Sequence, residues 1–309
     1  MTLATGYFGR KAVGVRSCPA TRPDPGTQLV QPMSRQRNPT VITVSGYLLS
    51  LLLVPVYVNM FPVWRLVNTH LPETVIAVLP VALTLAVLLA LCLFFSRRRA
   101  HVPLGRTALG VGIGLCCVAL LLPEAHLPAK KIHVVEYLFL SLVVRFAMAP
   151  RLQGAALLVC SACFTALLGI HDEFLQGLHP ARTYGLSDML VNTLSGCGGS
   201  LIWHACALFR QPVGPGRPDP AIAGAGSVPR YLLWLLAGVL ALVVPAFWYR
   251  NAVIPLWTTL PLIGAVAGAG LWLRRFPPAW RHGIVAAGSI ALPLIFYPLL
   301  ISGGTFHFY

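Results

Sequence analysis

From Val41 to Ser302 the chain repeats one pattern: an apolar run long enough for a helix to cross a bilayer, then a short loop. The runs are Val41–Met60, Val75–Phe95, Thr107–Leu122, Ile132–Ala149, Leu152–Ile170, Ser187–Phe209, Tyr231–Trp248, Val253–Leu273 and Gly283–Ser302. Alternation with the period of a strand is missing, which argues against a β-barrel. Only 10% of the residues are charged and 57% are apolar, whereas soluble domains carry about 25% charged residues. The fold class is therefore all-α: a polytopic transmembrane helical bundle of about nine spans (eight to nine).

A formal charge of +15 would suit a nucleic-acid binder, but its distribution follows the positive-inside rule instead, so no nucleic acid is implied. Arg10, Lys11, Arg16, Arg22, Arg35 and Arg37 precede the first span, and Arg97, Arg98, Arg99 and Arg106 follow the second. Arg145 and Arg151 flank the fourth-to-fifth turn, Arg210, Arg217 and Arg230 lie around the sixth-to-seventh linker, and Arg274, Arg275 and Arg281 precede the ninth. These fall on alternate loops, leaving Arg65, Lys130, Lys131, Arg182 and Arg250 for the other side. The expected topology is amino terminus in and carboxyl terminus out.

Residues 1–40 read as a disordered basic cytoplasmic arm without the layout of a secretory signal, and Met33 is a second candidate start. Residues 41–106 hold two leading spans and residues 107–209 a four-helix membrane domain. Residues 210–230 form a Gly/Pro/Ala-rich linker, and residues 231–309 a three-helix tail. Seven of the 8 cysteines fall inside spans, so no extracellular disulfide framework is expected, and Cys160 and Cys163 read as packing residues.

Polar residues gather in one layer. Lys130, His133, Glu136 and Tyr137 open the fourth span at helical spacing. Asp172, Glu173 and Gln176 share a face at the end of the fifth, Pro180 stops that helix, and Arg182 lies in the short loop beyond. Ser187 and Asp188 open the sixth span as candidate caps. Asp188, Asn192, Ser195, Gly196 and Gly199 then recur at three and four residues; Gly196, Gly199 and Ser200 suit close helix packing. Each patch alone has a structural explanation, as a helix end near the head groups or an exposed ion pair. Three consecutive spans placing acid, base, amide and guanidinium at one depth point to a shared pocket.

These residues also carry a resemblance. Asp172-Glu-x-x-Gln176, Pro180-x-Arg182 and Asp188-x-x-x-Asn192-x-x-x-Gly196, preceded by Lys130-x-x-His133-x-x-x-Tyr137, resemble the VanZ-like membrane protein family, named for an accessory teicoplanin-resistance protein. The chain departs from the family's pattern at Ala129, Leu175 and Ala181. The likeness runs from about Thr107 to Phe209; the remaining spans are assigned membrane anchoring only. It implies a bacterial inner-membrane protein of the cell envelope with a role in glycopeptide or lipoglycopeptide resistance.

The favoured function is binding or modification of an amphiphilic envelope component at the outer leaflet. Its partners would be membrane lipids, with an anionic amphiphile or a peptidoglycan-related precursor as the ligand class. Arg182 would hold the head group, Lys130, Tyr137, Asp172, Gln176 and Asn192 would line the site, and His133, Glu136, Glu173 and Asp188 are the candidates for acid–base work. No Ser or Cys nucleophile stands beside a base there, which disfavours a covalent mechanism. A metal site from His133, His171, Glu173 or His179 is the less favoured use of these residues, and no metal or cofactor is assigned. The alternatives are a transporter or proton-coupled carrier, for which the acids lie at one surface only, and a non-catalytic scaffold in envelope assembly.

Overall fold

The computed structural model describes residues 38–97, 105–124, 127–179, 184–209, 226–249 and 253–302. Its helices are α1 Pro39–Val58, α2 Phe61–His70, α3 Glu73–Arg97, α4 Gly105–Leu121, α5 His133–Met148, α6 Gly154–Leu178, α7 Leu186–Ala205, α8 Ser227–Trp248, α9 Leu260–Leu271, α10 Pro278–Ala291 and α11 Tyr297–Ser302. Short 3₁₀ turns at Pro128–Ile132, Leu256–Thr259, Leu273–Arg275 and Leu292–Phe296 join some of them. Among the described residues there is no β-strand. Among the described residues, five segments are long and apolar enough to cross a membrane: α1, α3, α6, α8 and Pro278–Leu300. Gly105–Leu121 and Leu256–Leu271 are shorter apolar helices. α5, with 16 residues, and α7, whose 20 residues include Asp188, Asn192 and His204, fall outside that set.

Local sequence explains most boundaries. Pro39 sits in the first turn of α1, and Asn38 caps it by accepting a 3.0 Å hydrogen bond from the Thr40 amide. α6 runs through the polar residues and stops at Leu178, because His179, the residue before Pro180, is held extended. Pro293 tightens the last span into the 3₁₀ turn Leu292–Phe296 between α10 and α11. α2 has no counterpart in the apolar pattern. It is a short amphipathic helix with no buried residue, and Phe61, Trp64 and Val67 share one side.

α7 is the hub of the bundle, packed against α4, α5 and α6, while α1 lies across α5 and α6. The tail docks through α10 on α6, and α8 and α10 both pack on α9. One core cluster joins α1, α5 and α6 to the tail through residues such as Tyr57, Leu140, Leu168, Leu242 and Ile284. The other ties α3, α4, α5 and α7 through Leu88, Cys116, Leu138 and Ile202. Cys160 packs at the α6–α10 contact, directly over Gly283. Outward faces of α1, α3 and α8 expose Leu48, Leu52, Leu85, Leu89, Leu233 and Leu236. Apolar surface this continuous is what lipid contact requires and water penalises.

Among the described residues, the basic end of the bundle buries the charge of Arg145. Arg145 is read from sequence as a loop charge, yet it is 1% exposed. Its Nε donates to the Leu208 carbonyl at 3.0 Å, just past the end of α7, where Ala207 and Phe209 both adopt positive φ. A guanidinium there satisfies carbonyls that a helix end leaves open.

Candidate functional site

The site lies at the end of the bundle where α1 and α6 finish and α3, α5 and α7 begin. Helix rise puts Asp172 about 27 Å along α6 from Gly154, close to the edge of a roughly 30 Å hydrocarbon core. Two connected groups of polar side chains occupy this level.

The inner group is buried. Asp172 and Glu173 are both 0% exposed. Gln176 Nε2 bridges them, donating to Asp172 Oδ2 at 3.1 Å and Glu173 Oε1 at 3.2 Å. Asn192 Nδ2 donates to Glu173 Oε1 at 3.3 Å and to the Gly169 carbonyl at 3.4 Å, and the Gly185 amide donates to Glu173 Oε2 at 3.3 Å. Tyr137 turns its hydroxyl towards Asp172. Gly169 makes this arrangement possible, since a Cβ there would meet Asn192 Cβ at 2.8 Å and the Tyr137 ring at 3.1 Å. Converging donors are what allow a carboxylate to remain buried.

The outer group lines a cavity of about 400 Å³, within the size range of small-molecule sites. Lys130 Nζ lies 2.7 Å from Asp188 Oδ2, and His133 Nδ1 lies 2.9 Å from Glu136 Oε2, close enough for an ion pair when the imidazole is protonated. Gln176 faces the cavity too and so links the two groups. The rest of the lining is apolar and aromatic: Tyr57, Met60, Phe61, Trp64 and Val67 from the α1–α2 corner, Leu79 of α3, and Leu127 and Ile132 beside Lys130 and His133. Tyr57 is fixed by donating from Oη to the Glu136 carbonyl at 3.1 Å.

The expectation of a capping side chain on α7 needs correcting. Neither Ser187 nor Asp188 caps α7: the helix already begins at Leu186, so both lie inside its first turn, and the N-cap is Gly185, without a side-chain cap bond. As an acid in the first turn, Asp188 still sits favourably on the helix dipole. His133 meets Glu136, whereas Glu173 is held by the amide donors behind them. Gly199 lies against Leu138 and Ser141 of α5, Gly196 against Thr165 of α6, and Ser200 is buried, so small residues on α7 meet two neighbouring helices. Pro180 and Arg182 lie outside the described residues, as do the basic arm and most of the linker.

His171 turns away from the site towards the tail. Its Nε2 lies 2.6 Å from the Ile290 carbonyl and its Nδ1 3.2 Å from Tyr297 Oη, so Nε2 carries the proton and the tyrosine donates to Nδ1. Among the described residues no group of three or more His, Cys, Asp and Glu is placed to hold a metal ion.

Sequence reasoning passed over the aromatic wall and the tail's part in the site. Tyr184 Oη donates to the Ala246 carbonyl of α8 at 3.0 Å, anchoring the residue beside the Gly185 amide that Glu173 accepts from. The available signal for the wall was the Phe61-x-x-Trp64-x-x-Val67 spacing next to a span end. No protein-family model matches the chain, and no curated protein or solved structure matches it.

Proposed function

We propose that the protein crosses the bacterial inner membrane about nine times and uses this cavity to bind or modify the head group of an amphiphile in the outer leaflet. The observation that carries the reading is the mixed lining, in which the polar Lys130, His133, Glu136, Gln176 and Asp188 share the cavity with the apolar and aromatic Tyr57, Phe61, Trp64, Leu79, Leu127 and Ile132. A molecule with a polar head and an apolar tail suits a lining of both kinds. The orientation follows from Arg97, Arg106, Arg151, Arg274, Arg275 and Arg281, whose places along the up-and-down helix order put them at the opposite end from the site. That end is cytoplasmic, which leaves the amino terminus in, the carboxyl terminus out and the cavity facing outward. The VanZ-like spacing supports an envelope role, with glycopeptide resistance as its phenotype and a peptidoglycan-related precursor within the ligand class.

Complementing a deletion strain with wild-type or Glu173→Gln protein, and profiling envelope lipids and peptidoglycan precursors, tests the reading. Wild-type protein should restore the profile, and Glu173→Gln should fail to do so at normal membrane abundance. If Glu173→Gln and Asp188→Asn both restore susceptibility and lipid profile fully, the site has no such role. A loss that only tracks falling abundance would mark the cluster as a scaffold element.

A further inference from the structure

A second cavity, of about 780 Å³, lies along the seam between α8 and the pair α6 and α7, and it shares no lining residue with the first. Each of the three helices lines it at helical spacing: α6 from Leu158 to Ile170, α7 from Leu186 to Leu201 and α8 from Leu232 to Val244. The seam stays open because α8 packs closely on α9, while the tail reaches α6 through α10. No charged residue is in the lining, whose polar side chains are Thr193, Cys163 and Cys197. Its floor is buried at Leu167, Met189 and Leu235, and its rim is exposed at Leu190, Leu236 and Leu240. Leu236 and Leu240 continue the outward face of α8 that begins at Leu233, so the cavity opens sideways off the lipid-facing surface. Hydrocarbon is what such surroundings supply, and nothing in this lining asks for a polar ligand.

Length decides what form of hydrocarbon fits. The lined stretch rises about 18 Å along α6 and about 22 Å along α7. One leaflet of the hydrocarbon core is only about 15 Å deep, half of the roughly 30 Å total. A chain drawn out straight gains roughly 1.25 Å per carbon, the projection of a C–C bond of about 1.5 Å. The seam therefore matches about 14 to 18 carbons in extended form, longer than a disordered chain of that size reaches in a leaflet. Dispersion contacts with a floor built from three helices favour the extended form over the disordered one. We propose that this seam is a lipid site, which holds an acyl chain of a phospholipid extended along α6, α7 and α8 and selects it by length rather than by head group. At its outer end the chain meets Leu186, the residue after the Gly185 amide that Glu173 accepts from.

The test uses full-length wild-type protein, stripped of lipid in detergent and then given one phospholipid at a time. The probes are phosphatidylglycerols with two chains of 10, 14 or 18 carbons, and an 18-carbon phosphatidylethanolamine. Native mass spectrometry should show the 18-carbon lipids retained equally well with either head group, and about tenfold better than the 10-carbon one. Maleimide labelling gives a second readout without any substitution: the 18-carbon lipids should slow alkylation of Cys163 and Cys197, which line the seam, and leave Cys117 of α4 unaffected. Ala162→Phe and Thr193→Phe, which fill the seam from α6 and α7, should each lower 18-carbon retention about tenfold, whereas Leu89→Phe on the exposed face of α3 should not. Retention that follows the head group, or that ignores chain length, would overturn the assignment. So would thiol labelling indifferent to lipid, or a dimer that Ala162→Phe dissolves, since a second copy would then cover the seam. The head-group reading of the polar cavity is untouched by any of these results, because it rests on the Glu173 and Asp188 variants.

Discussion

The tightest constraint at the scale of single residues is where α7 meets its neighbours. Trp203 Nε1 donates to the Leu138 carbonyl at 3.1 Å and to Ser141 Oγ at 3.0 Å, and Gly199 lies against the same two residues. A methyl group at Gly199 would run into Ser141 Oγ and the Leu138 backbone. Gly199→Ala should therefore cost about 1–3 kcal/mol by overpacking, lowering the unfolding temperature in detergent. Gly110→Ala, with no heavy atom within 4 Å of the added carbon, should leave that temperature unchanged or slightly raise it. The α7 stripe was legible in the sequence because helical period depends on spacing alone. The partner of each stripe residue was not. Asp188 has the residue type of a cap, but α7 starts two residues earlier, at Leu186, and Asp188 instead pairs with Lys130 from a segment more than 50 residues away.

At the scale of elements, the tail acts as a clamp on the segment that carries the buried acids. His171 joins α6 to the Ile290 carbonyl and Tyr297, Tyr297 stacks on Phe174 with ring centroids 4.7 Å apart, and Tyr184 closes onto α8. Replacing His171 with Ala strands a buried carbonyl and a hydroxyl, a loss of about 1–3 kcal/mol. Hydrogen exchange should then quicken at α10 and at Gly185–Asn192, while α4 keeps its protection. Unchanged exchange at Gly185 would mean that the tail does not brace the site. Sequence assigned these helices to anchoring alone because their partners lie 119 and 126 residues from His171, and no local period reports a contact that distant. α2 escaped for the opposite reason: it is 10 residues long, too short and too mixed to register as a span.

For the molecule as a whole, composition and apolar period were enough to read an all-helical membrane protein, because a bilayer admits few alternatives to helices with satisfied backbones. Orientation rests on the arginines. A reporter active only in the cytoplasm should therefore signal when fused after Arg210 and stay silent after Tyr309. Signal at Tyr309 would require an even number of crossings and would turn the cavity or the tail to the other face. The central claim is that the cavity between the α1–α2 corner and α5 holds the head group of a membrane amphiphile. The most direct measurement is native mass spectrometry of the protein purified from its own membranes, comparing wild type with Glu136→Gln and Asp188→Asn at matched abundance. The account predicts an amphiphile of defined mass bound to wild type and depleted in both variants; an identical lipid complement on all three proteins would contradict it.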